Sequence, residues 1–127
     1  MQQVNTNEAP FPAGHYSQGI IHEGVVYISG QLSIDPTTRL PIKGTIEEQL
    51  MQSLNNMNAV LIAAGSSKEM VLKCTVFISD IELWPRVNTT YAKFFGTHKP
   101  ARSVIPVSFL HHGLLVEVEA IAALKKN

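Results

Sequence analysis

The chain is poor in charge, and neither sign predominates. Charged residues make up 16% of its 127 residues, whereas an average soluble domain has about 25%. The ten Lys and Arg residues equal the ten Asp and Glu residues, so the formal net charge is zero. Proteins that bind nucleic acid without sequence preference carry excess basic residues that neutralise phosphates. The charge balance therefore argues against a nucleic-acid partner.

Cysteine and long hydrophobic runs are equally scarce. Cys74 is the only cysteine, so the chain cannot form an internal disulfide. The longest apolar run, Ala59 to Ala64, is far shorter than the roughly 20 residues that span a bilayer. Residues Met1 to Pro10 are polar and lack the apolar segment of a secretory signal. We therefore expect a cytoplasmic protein without membrane contact, and the length predicts one domain over residues 1–127.

Hydrophobic periodicity predicts two strands, a helix, a strand, a second helix and two final strands. The predicted strands are Tyr16 to Ile21, Val25 to Leu32, Val71 to Ser79, Arg102 to Leu110 and Leu114 to Leu124. A tight turn at His111-His112-Gly113 is expected to join the last two strands. This order favours an α+β fold with both helices on one face of a mixed sheet. The other face would then need cover, which predicts an oligomer.

The first helix is the clearest predicted element. Thr45 and Glu48 have the spacing of a capping box, and Gly65 suits the position just after the helix. Between them, apolar residues recur every three or four positions: Ile46, Leu50, Leu54, Met57, Leu61 and Ala64. The second helix is predicted from the apolar residues Trp84, Val87, Tyr91, Phe94 and Phe95, with Pro85 in its first turn and Gly96 near its end. Trp84, Phe94 and Phe95 are expected in the core.

Most chemically reactive residues fit structural roles. Cys74 shares a predicted apolar strand face with Leu72, Val76 and Ile78, which favours a buried structural thiol over a nucleophile. His111-His112 lacks a further His or Cys at ligand spacing, so no metal site is predicted. The chain also lacks the glycine patterns that bind phosphates or dinucleotides, and no cofactor is expected.

The segment from Pro100 to Leu124 is different because its few charges stand in apolar sequence. Its 25 residues include three charged ones, Arg102, Glu117 and Glu119. Buried charge is costly unless it is paired or used. Glu117 and Glu119 are two residues apart on a predicted strand and face the same way. If Arg102 lies on a neighbouring strand, these residues form either a structural ion pair or a site where arginine holds a small carboxylate and a glutamate positions water.

Short motifs along nearly the whole chain resemble the RidA/YjgF family. In order, they are GHYSQ (14–18), VYISGQ (26–31), IDP (34–36), AAGSS (63–67), KCTVF (73–77), VN (87–88), Tyr91, FF (94–95), PARS (100–103) and VEVEAIA (116–122). The resemblance implies a chorismate-mutase-like α+β fold assembled as a homotrimer. In such a trimer the sheets form a barrel-like core, the helices lie outside, and ligand clefts lie between subunits.

The same resemblance implies a function and a set of site residues. The implied reaction is cofactor-independent hydrolysis of reactive 2-imino or enamine acids, such as 2-iminopropanoate and 2-iminobutanoate, to 2-keto acids and ammonia. By the family pattern, Arg102 binds the substrate carboxylate and Glu117 activates the attacking water, while Glu119 is a structural partner. The residues expected at the cleft are Tyr16, Ser29, Gly30, Asn88 and Val104.

Several positions depart from the family pattern. Many members have cysteine at the position of Val104, Glu-Val at Pro106-Val107, and Leu-Pro-Lys at Leu110-His111-His112, and His15 replaces a proline. Proline removes a backbone donor, so Pro106 predicts an edge strand or a bulge. These departures leave two alternatives open: a non-catalytic sensor of small carboxylates such as 2-keto acids, and a ribonuclease or translation inhibitor, which the zero net charge disfavours.

Overall fold

The computed structural model describes residues 1–126 and has six strands and two long helices. The strands are β1 (Gln2–Val4), β2 (Gly19–His22), β3 (Val25–Gln31), β4 (Val71–Ile78), β5 (Ala101–Pro106) and β6 (Val116–Ala123). The helices are α1 (Ile46–Ala63) and α2 (Trp84–Phe95). This architecture confirms the predicted α+β fold. Within the described residues, neither helix is long and apolar enough to cross a bilayer.

All six strands form one mixed sheet in the order β1-β2-β3-β6-β4-β5. The β4–β5 pair is parallel, and α2 provides the long connection that parallel neighbours require. The other neighbouring pairs are antiparallel. Because β5 pairs only with β4, it is an edge strand, which confirms the prediction from Pro106.

Both helices pack on one face of the sheet, which we call the helix-covered face. The capping box predicted for α1 is present: the Thr45 hydroxyl accepts from the Glu48 amide at 3.2 Å, and the Glu48 carboxylate accepts from the Thr45 amide at 3.0 Å. Gly65 follows the helix with φ of +85°, as predicted. The apolar residues of α1 and α2 are buried against alternate residues of β3, β4 and β6.

The opposite side of the sheet, which we call the open face, has no helix over it. Its side chains combine apolar and charged groups. The apolar ones are Ile20, Tyr27, Phe77, Ile105 and Ile121. Tyr27 and Ile105 keep 47% and 41% of their surface exposed, respectively. An apolar sheet face of this kind is usually buried against another layer.

The predicted hairpin between the last two strands is wrong. The turn at His111–Gly113 exists as a 3₁₀ turn, but β4 lies between β5 and β6. Residues 107–115 separate β5 from β6, which is more than a tight hairpin turn provides. The amide of Val107 donates to the Ile78 carbonyl at 2.8 Å, so the chain still follows β4 beyond Pro106. Arg102 and Glu117 therefore do not lie on neighbouring strands.

Two side chains predicted to be buried are exposed. The register of β4 shifts between Val71 and Lys73, and this bulge turns Leu72 outward, leaving it 51% exposed. Val71 takes the buried position instead. Trp84 begins α2 at the sheet edge and is 39% exposed, so it does not belong to the core as predicted.

The N-terminal segment also differs from the prediction. Residues 2–4 form an edge strand, although no strand was predicted in this polar segment. The strand predicted from Tyr16 begins at Gly19, so Tyr16 lies in the preceding loop. Gln18 fixes this loop: its amide group donates to the Thr6, Ala9 and Pro10 carbonyls and accepts from the Thr6 amide.

Candidate functional site

The structure divides the predicted site residues into two groups on opposite faces of the sheet. On the helix-covered face, Arg102 projects from β5 toward α2; we call its surroundings the Arg102 site. On the open face, Glu117 of β6 lies over Gly30 of β3; we call this the Glu117 site. Within one chain the two sites do not meet, because β4 separates their strands and their side chains face opposite ways.

The Arg102 guanidinium is held by side chains of α2. Its Nη1 donates to Asn88 Oδ1 at 3.0 Å. Its Cζ lies 4.8 Å from the ring centroid of Tyr91 and 5.7 Å from that of Trp84. Cation–π contacts of this length stabilise the ion and cover one side of its plane. Asn88, predicted as a substrate contact, is thus a partner of Arg102 in this structure.

The charge of Arg102 has no counter-ion in the structure. Among residues 1–126, no carboxylate lies within salt-bridge distance of its guanidinium. Burial raises the pKa of the Cys74 thiol to about 12, so this neighbour on β4 is neutral at physiological pH. Burial also raises the pKa of the Tyr91 hydroxyl. A half-buried guanidinium that keeps free donors and lacks a counter-ion is suited to bind a carboxylate from outside the chain.

Val104 follows Arg102 on the same face of β5. It pairs with Val76 of β4, and its side chain packs against the hydrophobic core. The structure thus places it beside the Arg102 site. Direct contact between Val104 and a substrate stays a prediction.

The Glu117 site depends on a glycine. β3 bulges between Ile28 and Gln31, opposite β6, and this bulge contains Ser29 and Gly30. An ideal Cβ on Gly30 would lie 2.5 Å from Glu117 Oε2 and 3.0 Å from its Cδ. The glutamate side chain therefore occupies the space that any other residue at position 30 would fill. The Ser29 hydroxyl donates to the Ser17 carbonyl at 2.5 Å and joins the bulge to the loop before β2.

Gly30→Ala is expected to displace the Glu117 carboxylate without unfolding the protein. The φ of Gly30 is not in the left-handed region, so alanine is compatible with the backbone. The collision is with the end of a flexible side chain, which rotates toward water. We expect the raised pKa of Glu117 to fall toward its ordinary value, as measured by carbon NMR of its side-chain carboxyl.

Gly44→Ala is the matched control for this substitution. Its ideal Cβ lies 2.7 Å from Glu48 Oε1, so it creates a similar collision with a different glutamate, in the capping box of α1. The pKa of Glu117 should stay unchanged in this variant. An unchanged Glu117 pKa in Gly30→Ala would show that Gly30 does not define the position of the carboxylate.

The pKa of Glu117 is raised above its ordinary value of 4.5. Burial is the main cause, because it disfavours the charged form. The neighbouring Glu119 carboxylate raises the pKa further, whereas His111 lowers it. A carboxylate with a raised pKa accepts a proton more readily, and this is the property required of a general base.

Two substitutions are expected to move the Glu117 pKa in opposite directions. Glu119→Gln removes a negative neighbour and should lower the pKa, because the charged form of Glu117 is then less disfavoured. His111→Asn removes a neighbour that lowers the Glu117 pKa and should therefore raise it. Carbon NMR titration of the Glu117 carboxyl measures both effects. Shifts of the same sign in the two variants would contradict this account of the site.

The last predicted site residue, Tyr16, lies in the loop before β2. Its side chain is 51% exposed, and its hydroxyl accepts from the Ala13 amide at 3.3 Å. Tyr16 lies outside the Arg102 site, and it makes no hydrogen bond to Glu117. Its expected role at a cleft stays a prediction.

Metal-binding geometry is not found in the described part of the chain. Over residues 1–126, no three His, Cys, Asp or Glu side chains are grouped so that they could hold an ion. The rings of His111 and His112 are 6.3 Å apart and exposed.

Tyr91 lies beside Arg102, although it was not among the predicted site residues. It was predicted as part of the apolar face of the second helix and as one of the residues of the family resemblance, and it is indeed buried. Trp84, Asn88 and Tyr91 recur at intervals of four and three residues, so they share one face of α2. That spacing, together with the asparagine between two aromatic residues on one helix face, was the signal in the sequence that these side chains lie together.

Comparison with known proteins identifies the family. Residues 6–124 match the family model described as Endoribonuclease L-PSP. The chain belongs to this family, which is the RidA/YjgF family. The match confirms the resemblance drawn from the motifs, and it covers both the Arg102 site and the Glu117 site.

Curated relatives span almost the whole chain. A RutC family protein of Pyrococcus horikoshii is 44% identical over 119 residues, covering 94% of each protein. The 2-iminobutanoate/2-iminopropanoate deaminase of Homo sapiens is 37% identical, covering 94% of this chain and 87% of its own length. The crystal structure of E. coli TdcF with bound serine matches with a TM-score of 0.93 and 34% identity, covering 98% of this chain and 100% of TdcF.

Proposed function

We propose that this member of the RidA/YjgF family hydrolyses reactive 2-imino and enamine acids to 2-keto acids and ammonia, without a cofactor. The observation that carries the proposal is the half-buried Arg102, whose guanidinium is oriented by Asn88 and Tyr91 and has no counter-ion in residues 1–126. Such a group recognises a planar carboxylate. Human and bovine relatives named 2-iminobutanoate/2-iminopropanoate deaminase, at 37% and 39% identity, support the choice of substrate.

The proposed mechanism needs little beyond orientation and one base. The Arg102 guanidinium binds the substrate carboxylate and presents the electrophilic imine carbon. Glu117 removes a proton from water as the water oxygen bonds to that carbon, and then gives this proton to the imine nitrogen. In the resulting tetrahedral aminoalcohol the hydroxyl proton passes through Glu117 to the amine, the carbon–nitrogen bond breaks, ammonia leaves, and the oxygen becomes the keto oxygen of the product. Water and imine are consumed one to one, and no electrons are transferred to another molecule.

The proposal includes a homotrimer with clefts between subunits, because one chain keeps Arg102 and Glu117 on opposite faces of its sheet. Arg102 lies on the edge strand β5, where a second copy can approach. Glu117 lies on the open face, next to the uncovered side chain of Phe77. Packing of the open faces against one another would bury this apolar surface and would bring Arg102 of one copy to Glu117 of another.

A second candidate is a sensor that binds small carboxylates without catalysis. It is favoured by one observation, that the Arg102 site is formed within a single chain while Glu117 is remote. The solved relative TdcF holds serine, whose carboxylate is the group Arg102 would bind. Ribonuclease activity is not proposed, because the zero net charge provides no excess of basic residues to contact phosphates.

A coupled assay tests the proposed function. A serine or threonine dehydratase generates the imine, and a nucleophilic amine that traps free imine reports how long it survives. The protein should shorten the life of the imine below that set by spontaneous hydrolysis, in proportion to its concentration. An imine lifetime unaffected by the protein would overturn the deaminase proposal, and binding of a 2-keto acid in the same preparation would then support the sensor.

A further inference from the structure

The α2 residues beside Arg102 form a continuous stripe. Trp84, Asn88 and Tyr91 face β5, and each contacts the guanidinium, through an indole face, an amide oxygen and a phenol ring, respectively. The Asn88 amide oxygen accepts a hydrogen bond from Nη1, whereas Cζ lies over the two rings. A charged side chain held from two directions has a restricted orientation.

The Tyr91 ring is itself immobilised. The residue is 6% exposed, and its ring centroid lies 4.7 Å from that of Phe95. Phe95 in turn packs edge-on against Phe94 at 4.9 Å. A ring fixed in this way provides a rigid support for the guanidinium rather than one that moves with it.

The Tyr91 hydroxyl does not explain why a tyrosine ring lies here. It is buried beside the Cys74 thiol and makes no well-formed hydrogen bond among residues 1–126. The contact with Arg102 is made by the ring. The contribution of Tyr91 to the site is therefore expected to come from its aromatic face, which phenylalanine also provides.

The guanidinium keeps donors free for a ligand. Arginine has five N–H donors in a planar fork, and in this structure its hydrogen bond to a side chain uses one of them, on Nη1. The guanidinium carbon lies over the Tyr91 ring at 4.8 Å, so the ring limits the directions in which the fork can point. The orientation of the fork decides whether a planar carboxylate can form two parallel hydrogen bonds.

We infer that Tyr91 is a positioning residue for carboxylate binding, because its ring orients the guanidinium of Arg102. This inference rests on the proposed function, in which Arg102 binds the substrate carboxylate. It adds to the site a buried residue that does not itself contact the substrate. The aromatic residues of α2 then contribute to ligand affinity as well as to the hydrophobic core.

The test compares two core aromatic residues that differ in contact with Arg102. In Tyr91→Leu, the Kd for the probe 2-oxobutanoate and the KM of the deaminase reaction should each rise about 10-fold, with kcat nearly unchanged. Tyr91→Phe should restore both constants to within about twofold of the wild type, because phenylalanine keeps a π-face. The matched control is Phe94→Leu, which removes a buried ring of the same helix that packs on Phe95 but is stacked on neither Tyr91 nor Arg102. It should lower the melting temperature without raising Kd.

The outcomes separate this inference from the proposed function. If Arg102→Ala leaves the Kd of 2-oxobutanoate unchanged, the proposed role of Arg102 fails. If Arg102→Ala abolishes binding but Tyr91→Leu and Phe94→Leu raise Kd equally, the positioning role fails while the proposed function stands. A Tyr91→Phe variant as weak as Tyr91→Leu would also overturn it. Where Tyr91→Leu does not fold, the milder Tyr91→Met variant replaces it, with Phe94→Met as its control.

Discussion

Arg102→Ala is expected to abolish the acceleration of imine hydrolysis, lowering kcat/KM by about 10²- to 10⁴-fold. The reason is the loss of two charge-assisted hydrogen bonds to the substrate carboxylate, each worth about 1.5–3 kcal/mol, where 1.4 kcal/mol corresponds to a factor of ten. The substituted protein should still fold, because Arg102 has no carboxylate partner in residues 1–126 and removing it leaves no buried counter-charge. Steady-state kinetics in the coupled dehydratase assay measure the loss.

Arg86→Ala is the matched control for Arg102→Ala. Arg86 is also an α2-associated arginine, but its Nε and Nη2 donate to the Glu47 carboxylate at 2.7 and 2.6 Å on the surface. Its removal should leave kcat/KM close to that of the wild type. Arg102→Lys should recover little activity, since an ammonium cannot reproduce the planar fork or its stacking on Tyr91. Equal activity of Arg102→Ala and Arg86→Ala would contradict the assignment of the carboxylate site.

Glu117→Gln is expected to lower kcat by about 10²- to 10⁴-fold, which is the usual contribution of a general base. Glutamine has nearly the same shape and fits over Gly30, but it cannot accept a proton from water. Binding of 2-oxobutanoate should change little, because the carboxylate of this ligand is assigned to Arg102. Paired measurements of kcat and of ligand Kd separate these two effects.

Glu119→Gln is the control for the loss of charge on β6. Glu119 lies two residues further along the same face and is exposed. Its substitution should leave kcat within a few-fold of the wild type, because it changes only the electrostatic surroundings of Glu117. If Glu117→Gln were as active as Glu119→Gln, the assignment of Glu117 as the general base would be wrong.

Local elements were predictable because their signals are contained in a few neighbouring residues. The capping box at Thr45 and Glu48, the glycine after α1 and the edge strand at Pro106 all follow from the chemistry of single residues. The exposure of Leu72 was not predictable, because the bulge in β4 arises from its pairing with the distant strand β6. The two adjacent segments predicted a hairpin between β5 and β6, but β6 pairs with β3 and β4 instead.

The candidate site could be only partly predicted from the sequence, because it too depends on pairing between distant strands. The scarcity of charge between Pro100 and Leu124 drew attention to Arg102 and Glu117. Sequence spacing could not show that they project to opposite faces, because that depends on the strand order of the whole sheet. Nor could it show that Glu117 lies over Gly30, since the bulge in β3 creates this contact.

The most direct test of the account is complementation between two inactive variants. Arg102→Ala and Glu117→Gln chains are co-expressed with different tags, and mixed assemblies are isolated by both tags and their mass is measured. If each cleft takes Arg102 from one copy and Glu117 from another, every mixed trimer restores one of its three sites. We predict that level of imine hydrolysis in mixed assemblies and none in either variant alone. Mixed assemblies as inactive as the separate variants would contradict a site shared between copies.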